Sequence, residues 1–216
     1  MREVSIPAAG VHLRGELTIP EHATVLVLVI DSGGRWRDAN RGCAQRLHTL
    51  GIATLSFDLL TPEEQETERQ SKSLRFAIDK LTRRVIAVTD WIETLESVGR
   101  CELGYFAAST AAAAALAAAA HHPDRVKALA SLAGRPDLAI EFLPKVRAAT
   151  LLVIPERDQP LVHLNERAFP YLRCAKRLEI IAGVGGRYDG DAWLGRAADL
   201  CAAWLNEHAV PIPAFR

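Results

Sequence analysis

The chain has 216 residues, 49% of them hydrophobic, and its 26 Lys and Arg are balanced by 26 Asp and Glu. That length fits one domain, residues 1–216, able to bury a full core without staples, and the apolar share excludes a disordered chain. A net charge near zero argues against nucleic acid or a membrane surface as partner, since both need a basic excess.

No apolar run is long enough to span a bilayer; the longest, Ala107 to Ala120, is short and alanine-rich. The opening MREVSIPAAG lacks a charged region followed by an apolar one, so no signal peptide is expected. Cys43, Cys101, Cys174 and Cys201 are scattered without CxxC spacing, which predicts no metal site and a cytoplasmic protein with reduced thiols.

In chain order, Glu3 to Ile6 and Val11 to Ile19 alternate and flank Gly10, predicting a hairpin. Thr24 to Ile30 is a continuous, β-branched apolar run, as in a strand buried on both faces. A polar, Gly-rich loop from Asp31 to Asp38 leads to a helix near Asn40 to Leu50, ended by Gly51, and then to a strand at Ile52 to Phe57. Asp58 to Gln70 reads as an acidic loop. Leu74, Ile78, Leu81, Val85, Val88, Ile92 and Leu95 repeat at three and four, predicting one long amphipathic helix from about Ser73 to Glu96. Further strands are predicted at Glu102 to Phe106, Val126 to Leu132, Thr150 to Ile154 and Arg177 to Ile181. Helices are predicted at Ser109 to His121, Leu161 to Leu172 and Asp191 to His208. Strands alternating with helices give an α/β fold with a mostly parallel sheet covered on both faces.

Sites in such sheets lie at the carboxyl ends of strands. One loop stands out there: Gly104-Tyr105-Phe106-Ala107-Ala108-Ser109-Thr110-Ala111, where a strand ends, a serine sits among small residues and a helix starts. This is the setting of a nucleophile elbow, with A-x-S-x-A in place of G-x-S-x-G. Ser109 is equally readable as the N-cap of the alanine helix. Asp158 follows a later strand, in the order serine before acid expected of a triad. It is also readable as a carboxylate favoured by the N-terminus of the helix beginning near Leu161.

Taken together, several stretches resemble the dienelactone-hydrolase-like branch of the α/β-hydrolase superfamily. They are Leu59 to Glu64, Leu74-Arg75-Phe76, Gly104-Tyr105-Phe106 with Ala108-Ser109-Thr110, Gly134 to Leu138, Leu164-Asn165 and Lys176 to Ile180. The resemblance runs from Val4 to about Trp204. It implies an α/β-hydrolase fold with an eight-stranded sheet and no large cap. It also implies hydrolysis of small esters or lactones by serine, aspartate and histidine, with no cofactor. On this resemblance Ser109 and Asp158 are catalytic, and Ser32, Gly33 and Thr110 form the oxyanion hole. Members are sometimes labelled phosphoribosyltransferases, but the acidic phosphoribosyl-binding signature of those enzymes is not visible here.

Three departures matter. The family's histidine belongs in the loop after the last strand, which here reads Gly183-Val184-Gly185-Gly186-Arg187-Tyr188-Asp189-Gly190, with Gly186 at the histidine position. The oxyanion turn reads Asp31-Ser32-Gly33-Gly34 rather than a His-Gly type, so a carboxylate could oppose a developing oxyanion. Both elbow glycines are alanines. Among the seven histidines only His163 lies near the expected site, as a substitute base; the surface reading of it competes. Two functions therefore stand open: a weak serine hydrolase of small esters or lactones, and a non-catalytic ligand-binding or regulatory protein on the same scaffold. Ser109, Asp158, the loop Asp31 to Gly34, Gly186 and Tyr188 are expected to face one concavity.

Overall fold

A computed structural model describes residues 1–32, 36–184 and 192–210. Strands β1 (Arg2–Ala8) and β2 (Val11–Thr18) form the hairpin expected around Gly10. Ala9 and Gly10 both take positive φ (47° and 85°), which matches the right-handed twist of the flanking strands. Six further strands follow: β3 (Val25–Asp31), β4 (Ala53–Asp58), β5 (Glu102–Ala108), β6 (Val126–Leu132), β7 (Ala149–Pro155) and β8 (Lys176–Ile181). They form one eight-stranded sheet in the order β1-β2-β4-β3-β5-β6-β7-β8. β2 runs antiparallel to β4, and every pairing from β4 to β8 is parallel. The fold is thus α/β, mostly parallel, with the hairpin at an antiparallel edge.

Helices cover both faces. α1 (Arg37–Thr49) and the later α6 (Ala192–Ala209) pack with Val25, Val27, Val29 and Phe106 on one side. α3 (Ile78–Glu93) and α4 (Thr110–His121) pack with Leu26, Leu28, Ile30 and Tyr105 on the other. The alternation of β3 side chains between these two cores is why the whole run Val25 to Ile30 is apolar. In α4, every residue from Ala111 to Ala119 is fully buried. Small side chains all round let this helix lie between the sheet and α3.

Four elements differ from those expected. The acidic stretch read as a loop contains α2 (Pro62–Ser71), begun by a capping box. The Glu64 N–H donates to Thr61 Oγ1, and the Thr61 N–H donates back to Glu64 Oε2 (3.3 and 3.0 Å). The Glu64 carboxylate also meets buried Arg84 and Lys80, which ties α2 to α3 and holds its carboxyl near pKa 2. The long helix expected from Ser73 is instead a 3-10 turn, Leu74–Phe76, followed by α3. The break between the two lies at Ala77, whose φ −77° and ψ 62° are not helical, while buried Glu68 caps the start of the turn by accepting the Leu74 and Arg75 N–H groups and pairing with the Arg75 guanidinium. Finally α1 starts three residues earlier than expected, and α5 (Gln159–Ala168) gives way to a 3-10 turn at Phe169–Tyr171. No described helix is long and apolar enough to cross a membrane.

Candidate active site

Ser109 lies between β5 and α4 at the carboxyl edge of the sheet, with φ 55° and ψ −133°. An L-residue in that region carries strain of about 1–3 kcal/mol and stays there only when its surroundings over-determine it. Here they do. The Ser109 N–H donates to the Leu132 carbonyl (3.1 Å), and the Ser109 carbonyl accepts from the N–H groups of Ala112 and Arg135 (3.2 Å each). Ser109 occupies the N-cap position of α4, but its hydroxyl makes no capping bond there. Ala107 and Ala111 are fully buried where the elbow motif has glycines, and the turn accommodates both methyl groups.

The two described members of the expected oxyanion hole meet at the elbow. Ser32 Oγ lies 3.5 Å from Thr110 Oγ1, both side chains buried. Thr110 opens α4, so helix geometry leaves its N–H without an intrahelical acceptor, and it sits at the positive end of the helix dipole. The Ser32 N–H is different: it donates to Asp31 Oδ1 at 2.8 Å and is already engaged. Gly33 lies outside the described residues.

Asp31 also lines a cleft of about 1080 Å³ between α1 and the β1–β2–β4 end of the sheet, with Asp58, Arg37 and Asn40. Asp31 and Asp58 are partners in the parallel register of β3 and β4. Burial, with a smaller push from the neighbouring Asp31 carboxylate, raises the Asp58 carboxyl to about 6 against the opposing Leu60 N–H and Arg37. This cleft takes in Asp31 but neither Ser109 nor Asp158.

Asp158 follows β7 at the same sheet edge as Ser109, as expected. Its side chain is exposed, and Oδ1 accepts the Leu161 N–H at 3.2 Å, capping α5. The helix-terminal reading thus describes the contact this carboxylate makes.

The comparisons fit this geometry. No family model matches the chain. Proteins of two Mycobacterium tuberculosis strains, named provisionally as phosphoribosyl transferases, are each 38% identical over 208 residues, covering 95% of this chain and 46% of theirs. The chain thus spans about half the length of the curated relatives it matches. A crystal structure of dienelactone hydrolase from Anabaena variabilis is 38% identical with a TM-score of 0.89, covering 97% of this chain and 98% of that one. The chain belongs to the dienelactone-hydrolase-like branch of the α/β-hydrolase superfamily. At fold level it is also similar to Est1E from Butyrivibrio proteoclasticus, 16% identical with a TM-score of 0.73 over 95% of this chain and 98% of that one.

Gly186, Arg187 and Tyr188 lie outside the described residues, and the sequence from Ala182 to Asp191 contains no histidine. His163 is exposed on α5. His12 bonds Ser5, His48 bonds Thr54 and His122 pairs with Asp90. His121 and His208 pack tilted against the rings of Phe142 and Trp204 respectively, and His22 occupies a turn at φ 59°. None of these contacts is with the elbow.

Sequence reasoning missed the support behind the serine. Asn165, fully buried on α5, donates through Nδ2 to the Gly134 and Leu161 carbonyls (3.0 and 2.9 Å). Both Gly134 and Asn165 fall within stretches that carried the family resemblance, but spacing alone does not bring them together.

Proposed function

We propose that this chain is a serine-nucleophile acyl hydrolase acting slowly on small esters or lactones, with Ser109 as the attacking group. The observation that carries this is the Ser109 backbone at φ 55° and ψ −133°, which frees the hydroxyl from capping α4. In the reaction Ser109 Oγ adds to the substrate carbonyl as its proton passes to water, the Thr110 N–H stabilises the oxyanion that forms, its collapse expels the alcohol, protonated from water, and a second water hydrolyses the acyl-serine to the acid. Without a histidine to accept its proton, serine is a poor nucleophile. Loss of the triad histidine in a serine protease costs about a millionfold in turnover, and an oxyanion hole with binding retains roughly 10³–10⁴-fold over water. Slow turnover follows.

The second reading is a ligand-binding protein on the hydrolase scaffold. It is favoured by Asp158, whose carboxylate caps α5 and is exposed. The transferase name of the mycobacterial relatives belongs to proteins about twice as long, and it is not extended to this chain. A fluorophosphonate probe tests the proposal, because it reacts only with an activated serine. Slow labelling at Ser109, absent in Ser109→Ala, is expected. A folded wild type left unlabelled at Ser109 would favour the binding reading.

A further inference from the structure

The elbow is strained, so something outside it must hold it. Of the three hydrogen bonds on Ser109, the Ala112 bond belongs to α4 and the Leu132 bond to the neighbouring strand. The third comes from Arg135, in the loop after β6. That loop is itself unusual: Ala133 takes φ 45°, and its N–H donates to the Val153 carbonyl at 2.8 Å. Gly134 is packed so closely that a Cβ there would come within 2.0 Å of Ser131 Oγ and 2.8 Å of Ala112 Cβ. The Arg135 guanidinium is bound by both oxygens of Asp137 at 2.8 Å, so only its backbone N–H reaches Ser109. The buried Gly134 carbonyl points the other way, to Asn165 Nδ2.

We propose that Asn165 is a positioning residue for the nucleophile elbow: by gripping the Gly134 carbonyl it fixes the peptide that carries the Arg135 N–H onto the Ser109 carbonyl. This deepens the serine-nucleophile reading and rests on it for its catalytic meaning. The peptide between Gly134 and Arg135 is one rigid plane with its carbonyl held by α5 and its N–H by the elbow. Releasing the carbonyl lets that plane rotate, and the bond to Ser109 loosens with it. Asn165 also bonds Leu161 on its own helix, which fixes the carboxamide so that one hydrogen faces Gly134. Because Asp158 caps the start of α5, the same helix braces both the acid loop and the serine turn.

The test uses the full chain. Asn165→Leu removes both donors in a side chain of similar size. Amide hydrogen exchange reads the Arg135 N–H directly, and the fluorophosphonate labelling rate reads Ser109. Protection at Arg135 should fall roughly tenfold, the size of one lost buried hydrogen bond, while amides of the β2–β4 pairing keep theirs. The labelling rate should drop by a similar factor. Arg135 protection within twofold of wild type, or an equal loss across β2 and β4, overturns the proposal. If wild-type Ser109 does not label, the serine-nucleophile reading fails, and the Arg135 amide alone still decides the positioning.

Asn165→Asp is the second variant, for use if the leucine variant does not fold. Buried between two carbonyls, its carboxyl is favoured in the protonated form, which keeps one donor. Ionisation removes that donor, so Arg135 protection, corrected for intrinsic exchange, should fall as pH rises in this variant and not in wild type. A pH-independent profile matching wild type refutes the role.

Discussion

Gly134→Ala probes the contact between the β6 loop and the first turn of α4. The added Cβ would stand 2.0 Å from Ser131 Oγ and 2.8 Å from Ala112 Cβ, both well inside van der Waals contact. Overpacking in a closed site costs about 1–3 kcal/mol, and two such contacts place this change at about 2–3 kcal/mol. Ser131 Oγ is fully buried and has no hydrogen-bond partner. Deleting an unpaired buried hydroxyl is nearly neutral or stabilising by up to about 1 kcal/mol, so Ser131→Ala should not weaken the fold. In the double variant the oxygen clash disappears and the Ala112 contact remains, fixed by the helix backbone. The double variant should therefore recover about 1 kcal/mol or more beyond the sum of the single changes. Urea unfolding of the four proteins measures this cycle, and an additive result would refute the packing argument. Gly134→Ala alone within about 0.5 kcal/mol of wild type would do the same.

Ser109→Gly should raise stability by about 1 kcal/mol, because the strain at φ 55° exceeds the entropy glycine adds to the unfolded chain; an unchanged or lower melting temperature counts against a strained elbow. Asp58 titrates near 6 when folded against 3.8 when unfolded, so ionising it opposes folding: stability is lost as pH rises from about 4 through 6. Asp58→Asn should accordingly add about 2–3 kcal/mol at pH 8 and almost nothing below pH 4, and equal effects at both pH values would contradict burial of the charge. Gly186→His with Asp31→Gly restores a base where the family resemblance places it and releases the Ser32 N–H from the Asp31 carboxylate. Measurable aryl-ester turnover that Ser109→Ala abolishes is expected; a folded double variant with Ser109 unlabelled shows that the site is not a triad lacking one member.

Strand placement was legible because burial on two faces leaves no polar position: Val25 to Ile30 and Leu151 to Ile154 could be little else. The apolar period runs through Leu74 and Ile78 without a break, and period alone cannot register the non-helical ψ of 62° at Ala77 that divides the turn Leu74–Phe76 from α3. α2 was missed for the opposite reason. Its apolar stripe is nearly absent, and its signal lies in the chemistry of Thr61, Pro62 and Glu64 at its start. At the site, Ser109 was found from the small residues around it, whereas the orientation of Asp31 was beyond reach. Whether a carboxylate turns toward an oxyanion or toward its neighbour's N–H depends on backbone direction at the end of β3, which composition does not encode.

The elbow geometry serves more than one chemistry. Turning the chain at Ser109 leaves its hydroxyl out of the helix cap, and it also presents the Thr110 N–H at the start of α4. A protein that only binds a carbonyl or carboxylate oxygen needs the second feature as much as a hydrolase does. Strain of about 1–3 kcal/mol is a sizeable part of a total stability of about 5–15 kcal/mol, so its retention argues that the turn is used. It does not say which of its two products is used. Asp158 does not settle the choice, since a carboxylate that caps α5 can still stand near a base supplied from the loop after β8. The difference between the two uses is the fate of one proton. Oxyanion binding leaves the Ser109 hydroxyl intact, whereas phosphonylation forms a bond to Oγ and requires its proton to leave. That makes the labelling rate at Ser109, read against the rate after an imidazole is placed at position 186, the quantity that separates an attenuated enzyme from a binding protein.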